Sequence, residues 1–239
     1  AMQNYLELHR HAAVAAEILG QRDLALRLVT AHLIAGSTLW RIEPEPQKAH
    51  KDITKESLTA STAMAALNKE RDAVFALLGM EPADTLIRHG WRGLSTLDIY
   101  AKLWPLKTDE VVRMLTYAMA ESLAVGSSLV EAIGKELNVD MADHWQPDDA
   151  FWTLLQGRNT VNAVLADVAG KTVADQNITI KLAAQKDIAR DCLTGSNGRQ
   201  KVEGWLPRWM RFPFRTYTSN GGTRIEEAVK KVEALKATS

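Results

Sequence analysis

The chain has 239 residues, 29 of them basic and 29 acidic, so its formal net charge is zero. That length is enough for one large or two small domains with a real buried core, and 46% hydrophobic with 24% charged residues is an ordinary globular composition. The charge balance excludes a globally basic nucleic-acid binder, so any such surface must be a local patch, and a single cysteine, Cys192, excludes an internal disulfide. No signal-peptide pattern is present, and charge interrupts every apolar stretch before it could span a bilayer. A reducing, cytoplasmic setting without membrane contact is expected. The chain opens abruptly in helix-forming sequence, AMQNYLELHR, which suggests the C-terminal portion of a longer protein.

Met2 to Leu19 is rich in Ala and Leu and reads as a helix that stops at Gly20. Arg22 to Ala35 is apolar on most sides, as a central helix would be. The segment TLWRIEPEPQ carries Pro44 and Pro46 and is therefore extended. His50 to Ala60 is polar and reads as a connector. Ser61 or Thr62 caps a helix to Leu78, with Met64, Leu67, Val74 and Leu78 on one face.

Gly79 to Gly93 is irregular and marks an internal boundary, between subdomains at 1–90 and 91–239 of what could also be one continuous domain. Ser95 to Leu103 is a short helix. Thr108, followed by Asp109 and Glu110, opens another that places Val111, Leu115, Ala118 and Ser122 on one face and stops at Gly126. Ser127 or Ser128 caps a helix to Leu137. In DMADHWQPDDAFWTLL, Pro147 sits where a first helical residue belongs, with Asp148 and Asp149 in the first turn. Thr160 to Ala169 and Ile178 to Leu193 follow, the latter with Ala184, Ile188 and Cys192 inward and Lys181, Lys186 and Arg190 outward. The last helix starts at Thr223, pairing Glu226 with Lys230 and Glu227 with Lys231. The reading is all-α: an orthogonal bundle of about ten helices with long loops.

Most motifs that carry chemistry are missing. The sequence has no GxxxxGK[ST] loop, no GxGxxG after a strand, no GxSxG elbow and no HExxH. His9 and His11 are two apart, on different sides of a helix, which suits no metal site. Asp140, Asp143, Asp148 and Asp149 crowd around Trp145. Paired carboxylates can do acid–base work or hold a divalent ion, but helix capping and first-turn dipole matching account for their positions. No catalytic residue, metal or cofactor is expected.

One stretch stands apart. NGRQKVEGWLPRWMRFP, Asn197 to Pro213, is basic, aromatic and broken by Gly and Pro. From Arg199 to Arg215 there are five basic residues (Arg199, Lys201, Arg208, Arg211, Arg215) against one acid, Glu203, with Trp205, Trp209, Phe212 and Phe214 interleaved. Basic residues neutralise phosphates and aromatics stack on bases. The same aromatics, Trp205 and Trp209 at four-residue spacing, also suit a loop anchored to a helical core. On that view the two tryptophans are largely buried and only the arginines are free to meet DNA.

Three segments resemble the C-terminal region of ParB-like partition proteins, the ParB/RepB family. They are YLELHRHAAVAAEI with LALRLVTAHLIAGSTLWRIEPEP, VDMADHWQPDDAFWTLL running into VLADVAGKTVADQN, and IARDCLTGSNGRQKVEGWLPRWMRFP. In that family the recognisable activities lie upstream, in a ParB/sulfiredoxin-like domain and a helix-turn-helix DNA reader. Neither is seen here, and the family's arginine-rich nucleotide motif has no counterpart, so no catalytic role carries over. The resemblance implies a non-catalytic domain that assists DNA segregation, associated with a nucleoid or plasmid. Two readings stay open: non-specific DNA contact through Arg199, Lys201, Arg208 and Arg211, or a self-association or partner-docking module. The implied partners are DNA, a second copy of the chain, or another component of the partition machinery.

Overall fold

In a computed structural model of the protein, the described residues are 1–22, 24–25, 43–87, 96–103 and 105–217, with 230 and 234 beyond them. They form ten α-helices and two short 3-10 turns, with no strand among them. The protein is all-α. The expected helix Arg22–Ala35, the segment around Trp40 and the terminal helix from Thr223 fall wholly or mainly outside the described residues.

Helix α1, Met2–Ile18, is the centre of the molecule. Tyr5, Leu6, Leu8, Ala12, Ala13, Val14, Ala15 and Ile18 are buried on it, and so are the polar His9, Arg10 and His11. A helix buried on every side must be surrounded. Around α1 pack α2 (Asp52–Thr59), α3 (Thr62–Leu77), α5 (Thr108–Glu121), α6 (Ser128–Glu136), α7 (Asp149–Leu154) and the 3-10 turn Arg208–Met210. Its alanines let these neighbours approach closely. The largest buried cluster takes residues from Tyr5 to Met210. The remaining helices are α4 (Thr96–Leu103), α8 (Arg158–Ala169), α9 (Lys171–Gln176) and α10 (Leu182–Thr194), with α9 and α10 both packed on α8.

Capping follows local sequence. The Ser61 hydroxyl accepts from Met64 N at 3.2 Å and opens α3. The Ser127 hydroxyl accepts from Val130 N at 3.4 Å and opens α6. Glu110 accepts from Lys107 N at 2.7 Å, so Lys107 and not Thr108 is the capping position of α5. Asp148 accepts from Phe151 N at 2.8 Å, which makes it the cap of α7 and leaves Pro147 one residue before the cap. Each hydroxyl or carboxylate satisfies an otherwise orphaned first-turn N–H.

The structure corrects three expectations. The polar stretch at His50–Ala60 holds helix α2, whose buried Thr54 and Leu58 lie four apart and face α1 beside Leu8, Ala12 and Ala63. Residues 171–176 form α9, which the sequence reading passed over. Helix α10 begins at Leu182 and not at Ile178, and it buries Gln185, Ala189 and Cys192, with Ala184 and Ile188 only partly buried; on α5, Val111, Leu115 and Ala118 share the expected face and line an apolar cavity with Leu78, Met80 and Leu103. No helix among the described residues is long and apolar enough to cross a membrane.

Candidate nucleic-acid interface

The basic aromatic stretch is an irregular strap, residues 201–217, laid over the end of α10 and back onto α1 and α6. Gly195 closes α10 in the left-handed region at φ 74°, a conformation that favours glycine. Val202 N then donates to Cys192 O at 2.8 Å, turning the chain back along the helix it has just left. Beyond it, Leu206, Pro207, Met210 and Phe214 are buried, Met210 completely.

A buried ion pair holds the far end of the strap. Arg10 on α1 and Glu131 on α6 bond directly, and their side chains are 3% and 5% exposed. The Arg10 guanidinium lies 4.4 Å from the centre of the Phe212 ring and 5.1 Å from that of Phe214, within cation–π range. It also donates to Arg211 O at 3.4 Å, and Glu131 accepts from Phe214 N at 3.4 Å. Burial pushes the Glu131 carboxyl up, opposed by Arg10 and the Phe214 N–H. Gly134 lets the strap close: a Cβ there would sit 2.4 Å from the Phe212 ring.

The tryptophans are largely buried, as expected, though not completely: Trp205 and Trp209 pack against the core with part of each indole still accessible, and the deepest strap side chains are Leu206, Met210 and Phe214. The Trp209 ring packs edge-on against Tyr217 at 4.6 Å, and Trp205 meets Phe151 at 6.2 Å. The anchor is thus built from Leu206, Met210 and Phe214 at its centre, with Trp205, Trp209 and Phe212 packed around them and part of each ring accessible.

The four basic residues singled out in the sequence are not equivalent. Arg208 forks onto Asp167 with bonds of 2.9 and 2.5 Å, and its guanidinium lies 4.8 Å from the Tyr217 ring centre. Lys201 pairs with Glu203 at 2.9 Å. Arg199 is half-buried before the strap and lines none of the cavities described below. Arg211 is exposed; its guanidinium donates to Leu206 O at 3.4 Å and has no carboxylate partner among the described residues. Arg215, exposed and likewise without an acid partner, joins Arg208 and Arg211. Sequence counting registers Arg215 as charge, but only the fold places it beside the other two.

These side chains line a cleft of about 380 Å³ formed by Asp167, Trp205, Arg208, Arg211, Phe212, Pro213 and Arg215. Three arginines against one aspartate leave two unmatched positive charges. Trp205 also lines a second cleft of about 410 Å³, with Trp145, Trp152, Arg190, Lys201 and Glu203 among its other residues. Arg190 pairs with Asp149 at 3.1 Å and lies 5.5 Å from the Trp152 ring centre. Clefts of this kind can bind phosphates and stack on planar rings.

Three of the four carboxylates around Trp145, those of Asp140, Asp148 and Asp149, have structural partners. Asp140 accepts from Ala142 N at 2.9 Å, and Asp148 caps α7. Asp148 also accepts from Tyr5 Oη at 2.7 Å and from the Ser57 hydroxyl, while Trp145 Nε1 donates to Tyr5 Oη at 2.8 Å. His9 Nε2 meets Ser57 Oγ at 2.9 Å. Ser57 gives its proton to Asp148, so His9 donates to Ser57. In a nucleophilic triad the imidazole stands between hydroxyl and carboxylate and takes the hydroxyl proton. Here the hydroxyl stands between the other two, an order that ties α1, α2 and α7 together. No group of three or more His, Cys, Asp or Glu suited to a metal occurs among the described residues.

Fold and site together define an all-helical protein whose core carries a basic, aromatic strap. Comparison with known proteins finds no matching family model, no matching curated protein and no matching solved structure.

Proposed function

We propose that this chain is a non-catalytic helical domain that contacts DNA without sequence preference, through the phosphates, as the C-terminal part of a ParB-like partition protein. The observation that carries the reading is the convergence of Arg208, Arg211 and Arg215 on one cleft in a chain with no net charge. The partition assignment rests on the resemblance of three sequence segments. The contact set differs from the one the sequence suggested: Arg211 and Arg215 meet phosphate directly, Arg208 is held by Asp167, Lys201 lines the neighbouring cleft, and Arg199 lines neither. Fluorescence anisotropy with one oligonucleotide, offered single-stranded and as a duplex, tests the DNA contact. Phosphate contacts predict affinity that falls steeply between about 50 and 200 mM salt; no binding of either form at the low end defeats the reading.

A second reading, a self-association or partner-docking module with no direct DNA contact, is favoured by the apolar cavity of about 380 Å³ lined by Leu78, Met80, Leu103, Val111, Met114 and Leu115. Light scattering on the protein and on Leu115→Arg separates the two. A dimer that Leu115→Arg dissociates supports docking there, and a monomer in both cases rules out self-association through it.

A further inference from the structure

The strap runs past adjoining concavities, and one side chain divides two of them. Trp205 lines both the cleft of Arg208, Arg211 and Arg215 and the cleft of Arg190 and Lys201. Arg211, Phe212 and Pro213 continue from the first into a further hollow of about 630 Å³ beside Lys135 and Asn138. Cations therefore line both of the clefts that share this partly accessible indole. From this arrangement we infer that the strap binds single-stranded nucleic acid, with a base stacked on Trp205 and the flanking phosphates held by Arg211 and Arg215 on one side and by Arg190 and Lys201 on the other. The inference rests on the nucleic-acid reading of the same cleft and adds the class of strand.

A duplex offers this surface little beyond its backbone. Its bases are already stacked on each other, so an indole beside its backbone meets sugar and phosphate only. A single strand presents unstacked bases, and a basic groove with interleaved aromatics is the arrangement that takes both backbone and bases. The concavities also favour a thin, flexible ligand: about 380 and 410 Å³ suit a nucleotide or two each, whereas a rigid duplex would bridge over them. A patch that served duplex phosphates alone would have no use for an indole at the point where the two clefts meet. Trp205 packs on Phe151 and yet keeps part of its indole at the wall of both clefts, which is the surface a base would meet.

The test compares a 20-nucleotide thymidine strand, the corresponding uridine strand and a duplex of the same length, each by anisotropy at about 50 mM salt. The expected result is tighter binding of at least one single strand than of the duplex. Trp205→Leu, which keeps apolar bulk against Phe151, is expected to weaken the single strand by about tenfold and to leave the duplex unchanged, while Trp205→Phe retains most of the affinity. Should Trp205→Leu fail to fold, ultraviolet crosslinking of a strand carrying 5-iodouracil to the unaltered protein, mapped by mass spectrometry, is expected to mark Trp205. Equal affinity for strand and duplex, with no effect of Trp205→Leu or no crosslink at Trp205, overturns the inference while leaving DNA contact in place. No binding of any of the three probes defeats the nucleic-acid reading itself.

Discussion

Arg10 and Glu131 pair inside the core with side chains 3% and 5% exposed, and the rings of Phe212 and Phe214 cover the guanidinium at 4.4 and 5.1 Å. The pair joins α1, α6 and the strap at one point. Glu131→Gln removes the counter-charge and leaves Arg10 buried without it, which costs about 3–5 kcal/mol. Arg10→Met with Glu131→Leu removes both charges and is expected to recover most of that loss. Urea denaturation of Arg10→Met, of Glu131→Leu and of the double variant measures the coupling. A double variant no better than the singles would mean that packing, not charge, dominates.

Gly134→Ala has opposing terms. Alanine is the better helix former by about 1 kcal/mol, but its Cβ would meet the Phe212 ring at 2.4 Å. That ring is trapped against Arg10 and has little room to yield, so overpacking of about 1–3 kcal/mol decides the sign. The expected outcome is a lower melting temperature for Gly134→Ala, restored in part by Phe212→Leu. A more stable single variant would show that the strap moves away freely.

His9 and His11 are both buried, and desolvation lowers their pKa values to about 4 from the ordinary 6.5. Because the folded values are depressed, the unfolded chain takes up these protons first as pH falls. Stability is complete above about pH 6.5 and is lost between there and about pH 4, by about 2 kcal/mol per histidine at pH 5 and about 3 at pH 4. Gln47 Nε2 donates to His11 Nδ1 at 2.9 Å, so His11→Gln keeps a polar partner while removing the titration. The expected result is a variant whose urea stability falls about half as much as wild type between pH 7.5 and 5. An unchanged pH slope would place the acid sensitivity elsewhere.

Most of the helices could be read from the sequence because their caps and apolar spacing agree: Ser61, Ser127 and the break at Gly195 mark ends that the structure keeps within a residue or two. Helix α2 escaped that reading because a threonine, Thr54, occupies one of its two buried positions, so no apolar periodicity shows. Helix α9 escaped because its six residues bury only Ala174. The charge of the strap was legible, but its pairing was not. Asp167 lies forty-one residues from Arg208, and Glu131 lies far from Arg10 in the chain, so which cations are neutralised depends on contacts that no local pattern records. The burial of the tryptophans was legible from their size and spacing, but not that Met210 would take the deepest position.

Arg208 and Arg211 are expected to behave differently when truncated. Arg208→Ala breaks the fork onto Asp167 and the contact with Tyr217. Both partners are partly solvated, so the stability loss is about 1 kcal/mol or less. Arg211→Ala leaves melting unchanged and weakens DNA binding across all sequences, lowering the salt slope by about 1. Differential scanning fluorimetry alongside anisotropy checks both. The reverse pattern would assign phosphate contact to Arg208.

Phosphate binding by Arg211 and Arg215, in the cleft they share with Arg208, is tested most directly by the salt dependence of DNA affinity, for the unaltered protein and for Arg211→Ala/Arg215→Ala. The account predicts a log–log slope of roughly −2 to −3 for the unaltered protein and a slope shallower by about 2 for the double variant, with unchanged thermal stability. Identical slopes for the two proteins, or no binding at about 50 mM salt, would contradict it.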